Sequence, residues 1–105
     1  MNGKKIYSFR KSEIFNTLYD IIEMQKGEMI FCDTREGKML YQLTMYDCVW
    51  ELLYNITEVS PEMCEVVIRA SGERKNVKRE ILRQFSLLDS MLYGECVSVE
   101  FSDIA

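Results

Sequence analysis

The side chains of this sequence that could do chemistry are carboxylates, lysines, tyrosines and cysteines, because the chain contains no histidine. General acid–base work would fall to those groups, and a cysteine nucleophile would have no histidine partner in its own chain. Structural zinc usually takes two close pairs of ligands, whereas the cysteines form no CxxC pair and lie far apart (Cys32, Cys48, Cys64 and Cys96). No GxGxxG, P-loop or GxSxG motif occurs. The sequence therefore predicts no catalytic residue, no metal site and no cofactor, and it favours binding over catalysis.

One short segment keeps an enzymatic alternative open. Asp33, Glu36 and Lys38 belong to the sequence DTREGK, and this pattern resembles metal-dependent nuclease cores, in which two carboxylates hold the metal and a lysine orients the attacking water. The same residues surround a glycine, so they also fit the solvated tip of a β-hairpin. In a hairpin the two carboxylates straddle a turn instead of facing each other from adjacent strands.

The most concentrated positive charge lies in a basic island at residues 69–83, which contains six basic residues against two acids in a chain of net charge −4. Cations at a helix N-terminus oppose the helix dipole, so an anion or RNA phosphate site would explain their clustering at the start of a predicted helix. The sequence favours a solvated helix face whose charges pair with acids such as Glu73 and Glu80. The candidate anion- or RNA-binding residues are Arg74, Lys75, Lys78, Arg79 and Arg83.

An acidic and aromatic segment is the second candidate surface. Residues 39–68 contain five acids and no basic residue. Exposed tyrosine and tryptophan side chains are typical anchors of protein–protein interfaces, and surrounding carboxylates would suit a basic partner. The alternative is that these aromatic residues belong to the core. The candidate protein-binding residues are Tyr41, Asp47, Trp50, Glu51, Glu58, Glu62 and Glu65.

Helices and strands must position both surfaces. Apolar residues recur at helical spacing in residues 12–25 and 76–93, and a glycine ends each stretch, Gly27 and Gly94. Ser12 is expected to cap the first helix. Period-two alternation and hairpin signals predict strands at residues 5–9, 28–32, 38–46, 64–71 and 95–101.

Residues 46–57 fit two patterns. Alternate residues from Cys48 to Ile56 are apolar, as in a strand, but the segment also fits a helical stripe. The strand is favoured because no glycine or proline interrupts the run before Pro61. The resulting order β-α-β-β-β-β-α-β predicts a single α+β domain over residues 1–105. We expect one layer of five or six mainly antiparallel strands with two helices on one face.

The acidic residues named above, together with Glu95, Glu100 and Asp103 near the end of the chain, carry a resemblance to a known class. In size, acidity and inferred layout the chain resembles the small inhibitors encoded by phages and mobile elements, including anti-CRISPR proteins. The resemblance implies carboxylates that occupy the nucleic-acid surface of a nuclease.

These observations lead to one expected function with two alternatives. We expect a non-enzymatic binding protein that inhibits a nucleic-acid-processing complex, such as a CRISPR effector, through its acidic and aromatic surface; contact of the basic helix with RNA stays open. The alternatives are a small anion- or nucleotide-binding regulatory domain and a metal-dependent nuclease. We expect a basic protein partner, a cytoplasmic location and no membrane contact, because no apolar run approaches the roughly 18 to 20 residues of a span. The sequence leaves the oligomeric state open.

Overall fold

The architecture was obtained as a computed structural model, which describes residues 1–45, 47–72 and 76–94 and the backbone of residues 100–102. Within these residues the elements, in chain order, are β1 (Asn2–Tyr7), α1 (Lys11–Met24), β2 (Glu28–Asp33), β3 (Lys38–Met45), β4 (Cys48–Ser60), β5 (Met63–Ser71), α2 (Val77–Leu92) and β6 (Glu100–Ser102).

The described strands form one antiparallel sheet in the order β2-β3-β4-β5-β1-β6. Three consecutive hairpins place β2 to β5 side by side, and β1 then pairs with β5. The predicted α+β class, the antiparallel sheet and the order β-α-β-β-β-β-α are confirmed. The predicted last strand, residues 95–101, lies largely outside the described residues; β6 pairs with β1 from Glu100 to Ser102.

The sheet has a helix-covered face and an open face. Alternate side chains of β1, β3, β4 and β5 are buried, and they form one core cluster with the buried stripes of both helices. Strand residues of this helix-covered face are Tyr7, Met39, Tyr41, Leu43, Trp50, Leu52, Tyr54, Ile56, Cys64, Val66 and Ile68. The side chains between them point away from the helices. They make up the open face.

Both ends of α1 differ from the sequence-based prediction. Arg10, not Ser12, is the N-cap residue, because the Glu13 carboxylate accepts the Arg10 backbone N–H at 3.2 Å and closes the first turn two residues earlier than a Ser12 cap would. At the other end Lys26, not Gly27, adopts the positive φ, at 58°. Gly27 is required for space, since a Cβ there would lie 2.8 Å from the Leu43 side chain.

Two strand predictions are settled by the register. Residues 48–60 form β4, a strand of 13 residues that pairs with β3 and β5 along most of its length, so the strand reading of this segment is confirmed. The prediction of the first strand at residues 5–9 is wrong at both ends. Pairing with β5 runs from Asn2 opposite Arg69 to Tyr7 opposite Cys64, and Phe9 packs edge-on against the Tyr93 ring instead.

Candidate functional site

The two aromatic residues predicted as protein-binding anchors lie in the core. Tyr41 is fully buried and Trp50 is 4% exposed. The register is the physical reason, because Tyr41 pairs with Leu52, and Trp50 pairs with Leu43, all on the helix-covered face. The interpretation of Tyr41 and Trp50 as exposed anchors is therefore corrected, in favour of the core alternative that the sequence left open.

Tyr41 belongs to a buried polar network under α2. Its hydroxyl lies 3.0 Å from the Tyr54 hydroxyl and donates to Gln84 Oε1 at 2.7 Å. Gln84 in turn donates to Glu80 Oε1 at 2.7 Å and to Gln25 Oε1 at 3.1 Å. Burial raises the pKa of both tyrosine hydroxyls well above the ordinary value, so both stay protonated. The network satisfies polar groups that would otherwise destabilise the core.

The five candidate carboxylates fall into two groups at opposite ends of β4. Asp47 occupies the turn before β4 with a positive φ of 61°, and Glu51 lies on the open face close to that turn. Glu58 lies near the other end of the strand. At about 3.3 Å per residue, Glu51 and Glu58 are more than about 20 Å apart. The structure therefore does not form one continuous acidic surface from these residues.

The second group forms an acidic hairpin tip, residues 58–65, where β4 turns into β5. Glu58 and Glu62 are exposed and Glu65 is half-buried. Arg10 approaches Glu62 at 3.5 Å, but both side chains are largely exposed, so this ion pair contributes little. Val59 and Met63 are also exposed at the tip, which gives it apolar as well as acidic character.

Sequence reasoning missed an apolar strip on the open face. Phe31 of β2 lies opposite Leu40, and Leu40 lies opposite Leu53, so these side chains form one row across three strands. Val67 of β5 and Ile6 of β1 continue the strip diagonally across the next two strands. The signal was present in the sequence, since both alternating faces of these strands are partly apolar. The apolar strip consists of Phe31, Leu40, Leu53, Val67 and Ile6.

The basic island is described only in part. Arg74 and Lys75 lie outside the described residues, whereas Lys78 and Arg79 are exposed on the first turns of α2. Arg79 and Arg83 line a cleft of about 670 Å³ between the start of α2 and the β3–β4 end of the sheet. The structure thus brings two of the five candidate residues to one concave site.

Arg83 is held in place on one side of its guanidinium. Its Nε donates to Glu80 Oε2 at 3.2 Å, and its Nη2 donates to Glu80 Oε1 at 3.0 Å and to Gln25 Oε1 at 2.5 Å. The sulfur of Met45 lies 2.9 Å from the same nitrogen. Glu80 therefore neutralises the charge of Arg83. This is the pairing with a neighbouring acid that the interpretation as a solvated helix face predicts. Within the described part of the chain, Arg79 has no such partner.

The three residues of the nuclease alternative lie in the turn that connects β2 and β3. Asp33 ends β2 and lies opposite Lys38, the first residue of β3. The Asp33 carboxylate accepts the Glu36 backbone N–H at 3.0 Å, an arrangement that stabilises tight turns. Among the described residues, no group of three or more histidine, cysteine or acidic side chains is arranged to hold a metal ion. The geometry thus assigns Asp33, Glu36 and Lys38 to a hairpin tip.

The described cysteines are free thiols on three strands. Cys32 and Cys48 are half-buried and Cys64 is buried, while Cys96 lies outside the described residues. Burial raises the pKa of the Cys64 thiol, and the nearby Glu58 carboxylate raises it further. Cys64 is therefore a core thiol with little thiolate character.

No family model matches the chain, and the search of curated proteins returned no match. Among the described residues, neither α1 nor α2 is long and apolar enough to span a membrane.

Proposed function

We propose that this protein is a non-enzymatic binding module that docks on a basic partner protein through the apolar strip and the acidic hairpin tip. The observation that supports the proposal is the continuity of the two surfaces. Ile6, at the end of the strip, lies directly opposite Glu65 of the tip in the β1–β5 register. One partner surface of ordinary size would contact both.

The apolar strip has the exposure expected of an interface. The open face of an antiparallel sheet is normally polar where water covers it, yet Phe31 and Ile6 are each 49% exposed. The residues between them, Leu40, Leu53 and Val67, are half-buried. Contiguous apolar surface with a polar rim is typical of protein-binding sites. Exposed Lys38 and Arg69 provide part of that rim.

The nature of the partner is inferred from charge and from the resemblance. Glu65 lies on the open face beside the strip, Glu62 lies at the turn, and Glu58 lies opposite Cys64 on the side of the helix-covered face. In a chain of net charge −4, complementary charge at Glu62 and Glu65 steers association with a basic surface. Proteins that process nucleic acids carry such surfaces because they bind phosphates. Together with the resemblance to small phage inhibitors, this favours inhibition of a nucleic-acid-processing complex, for example a CRISPR effector, by occupation of its nucleic-acid surface.

The proposal is tested by capture of partners on the tagged protein, followed by binding and cleavage assays with each purified partner. The variant Glu58→Lys/Glu62→Lys/Glu65→Lys should abolish binding at low salt and restore nuclease cleavage. A control with the same charge change at exposed sites away from the tip, Asp20→Lys/Glu23→Lys/Glu28→Lys, should bind as the wild type does.

Phe31→Ser tests the strip separately. We expect it to weaken binding at least about tenfold, as loss of an interface anchor does. A partner bound equally well by the tip variant, the control and Phe31→Ser would contradict the proposed surface. Capture of no nucleic-acid-processing protein would contradict the proposed class of partner.

A further inference from the structure

The cleft beside α2 is separate from the proposed docking surface, because it opens on the helix-covered face. Its lining residues are Met45, Trp50, Asn76, Arg79, Glu80 and Arg83. Its volume of about 670 Å³ falls within the range of small-molecule sites in proteins, which are mostly apolar with a few placed polar groups. Met45 and Trp50 supply the apolar part here.

Two guanidinium groups reach this cleft from one face of α2. Arg79 and Arg83 are four residues apart on the helix, so their side chains begin roughly 6 Å from each other. Arg83 uses Nε and Nη2 for its contacts with Glu80, Gln25 and Met45. Within the described part of the chain, its Nη1 has no hydrogen bond, and Arg79 has neither a hydrogen bond nor an ion pair.

The cleft therefore has an excess of positive charge and prepositioned donors. Among the described residues two cations and one carboxylate line it, and the Glu80 carboxylate already accepts hydrogen bonds from Arg83 and Gln84. Arg83 needs little further ordering, because its contacts fix the plane of the guanidinium before a ligand arrives. Preorganised donors of this kind favour binding, since less conformational freedom is lost.

We propose that this cleft binds a small organic phosphate, with Arg79 and Arg83 holding the phosphate group and the organic part lying against Met45 and the small exposed part of Trp50. A carboxylate has two oxygens, which a single guanidinium satisfies in a bidentate pair. A phosphate ester offers three oxygens and up to two negative charges, so it can engage both arginines at once. The proposal does not depend on the function proposed for the open face.

The test uses thermal melting and calorimetry of the full chain with nucleoside monophosphates, a sugar phosphate, inorganic phosphate, benzoate and a short RNA. At least one organic phosphate should raise the melting temperature and bind more tightly than inorganic phosphate, which lacks an organic part. Benzoate should bind weakly or not at all.

Arg79→Ala should lower the affinity for the organic phosphate at least about tenfold, which is the loss expected for one charge-assisted hydrogen bond. The melting temperature of the unliganded protein should change little, because Arg79 forms no hydrogen bond or ion pair within the described part of the chain. Arg69→Ala, the same substitution on the open face, should bind as the wild type does. Arg83→Lys keeps the charge but removes the planar fork, and it should also weaken binding.

Three results would overturn the proposal. The first is the absence of any melting shift or heat with every organic phosphate at millimolar concentration. The second is equal affinity of the wild type, Arg79→Ala and Arg83→Lys. The third is binding of the RNA without binding of any organic phosphate, which would identify the arginines as a contact for a nucleic-acid backbone.

Discussion

The buried ion pair between β1 and α2 predicts a large and specific loss of stability when its charge balance is broken. Lys5 Nζ lies 2.5 Å from Asp89 Oδ2, and the Tyr7 hydroxyl donates to Asp89 Oδ1 at 2.6 Å. Asp89 is fully buried and Lys5 is 9% exposed. The Lys5 ammonium also lies 5.0 Å from the centre of the Tyr7 ring and 5.5 Å from that of Tyr93.

Asp89→Asn keeps the shape of the side chain but leaves the Lys5 ammonium buried without a counter-charge. Removing one partner of a buried ion pair typically costs about 3 to 5 kcal/mol. A domain of this size has roughly 5 to 15 kcal/mol of stability in total. At about 4 to 8 °C per kcal/mol, the melting temperature should fall by at least about 12 °C. Lys5→Met should cost a similar amount of stability, because the buried Asp89 carboxylate then loses the cation that balances its charge. Of the contacts described above, it keeps the hydrogen bond from Tyr7.

The double variant Lys5→Met/Asp89→Leu separates this explanation from a simple loss of packing. It removes both charges and fills the space with apolar groups, so it should recover at least about 2 kcal/mol relative to the sum of the losses in the single variants Lys5→Met and Asp89→Leu. Urea denaturation can be followed through the fluorescence of Trp50, the single tryptophan of the chain. Strictly additive losses in this cycle would refute the reasoning, since they would mean that the two charges are not coupled.

Two further predictions concern the same core. Because burial raises the pKa of the Tyr41 and Tyr54 hydroxyls, the unfolded chain releases protons above about pH 10 that the folded chain keeps. The contribution of these two tyrosines to stability is fully present below about pH 10 and falls above it by about 1.4 kcal/mol per pH unit for each tyrosine. Urea midpoints should show this slope, and Tyr54→Phe should remove about half of it. Gly72→Ala would place a Cβ 2.4 Å from the Trp50 ring, so the ring must shift. The variant should lose about 1 to 3 kcal/mol of stability, and its tryptophan fluorescence should move to longer wavelength. At Gly94 an added Cβ meets no atom of the described residues within 4 Å, so Gly94→Ala, although strained by the positive φ of 83°, should leave the spectrum unchanged. The same spectral shift in both variants would contradict the packing argument.

Helices and hairpins were predictable because their patterns are local. Ile14, Leu18 and Ile21 repeat at the spacing of one helix face, and all are buried in α1. The DTREG segment has the turn residues of a hairpin and forms one. The first-strand prediction failed because the bounds of β1 are set by its pairing with β5, about sixty residues away in the sequence, and no local pattern reports such a register.

The face covered by the helices was not predictable from alternation. In β3, Leu40 and Tyr41 are both large and partly or fully apolar, and so are Leu53 and Tyr54 in β4. Period-two patterns divide such residues into two sets but do not say which set meets the helices. Tyr41 and Tyr54 can be buried because both hydroxyls donate a hydrogen bond to Gln84 of α2. The side chains of the apolar strip have no polar group that needs such a partner, and they lie on the open face. The sequence-based prediction therefore placed Tyr41 and Trp50 on an exposed surface, whereas Leu40 and Leu53 are the residues of β3 and β4 that lie on the open face.

The two proposed sites use opposite faces of one strand, which makes them physically independent. Trp50 lines the cleft on the helix-covered face, and the next residue, Glu51, points to the open face. A partner on the open face therefore leaves the entrance of the cleft free, and a phosphate beside Arg79 leaves the apolar strip uncovered. Coupling between the sites would require an element with two arrangements that both ligands bias. The packed core between them, held by the Tyr41–Gln84 hydrogen bond, favours a single arrangement. Phe31→Ser and Arg79→Ala should each remove one kind of binding and leave the other unchanged.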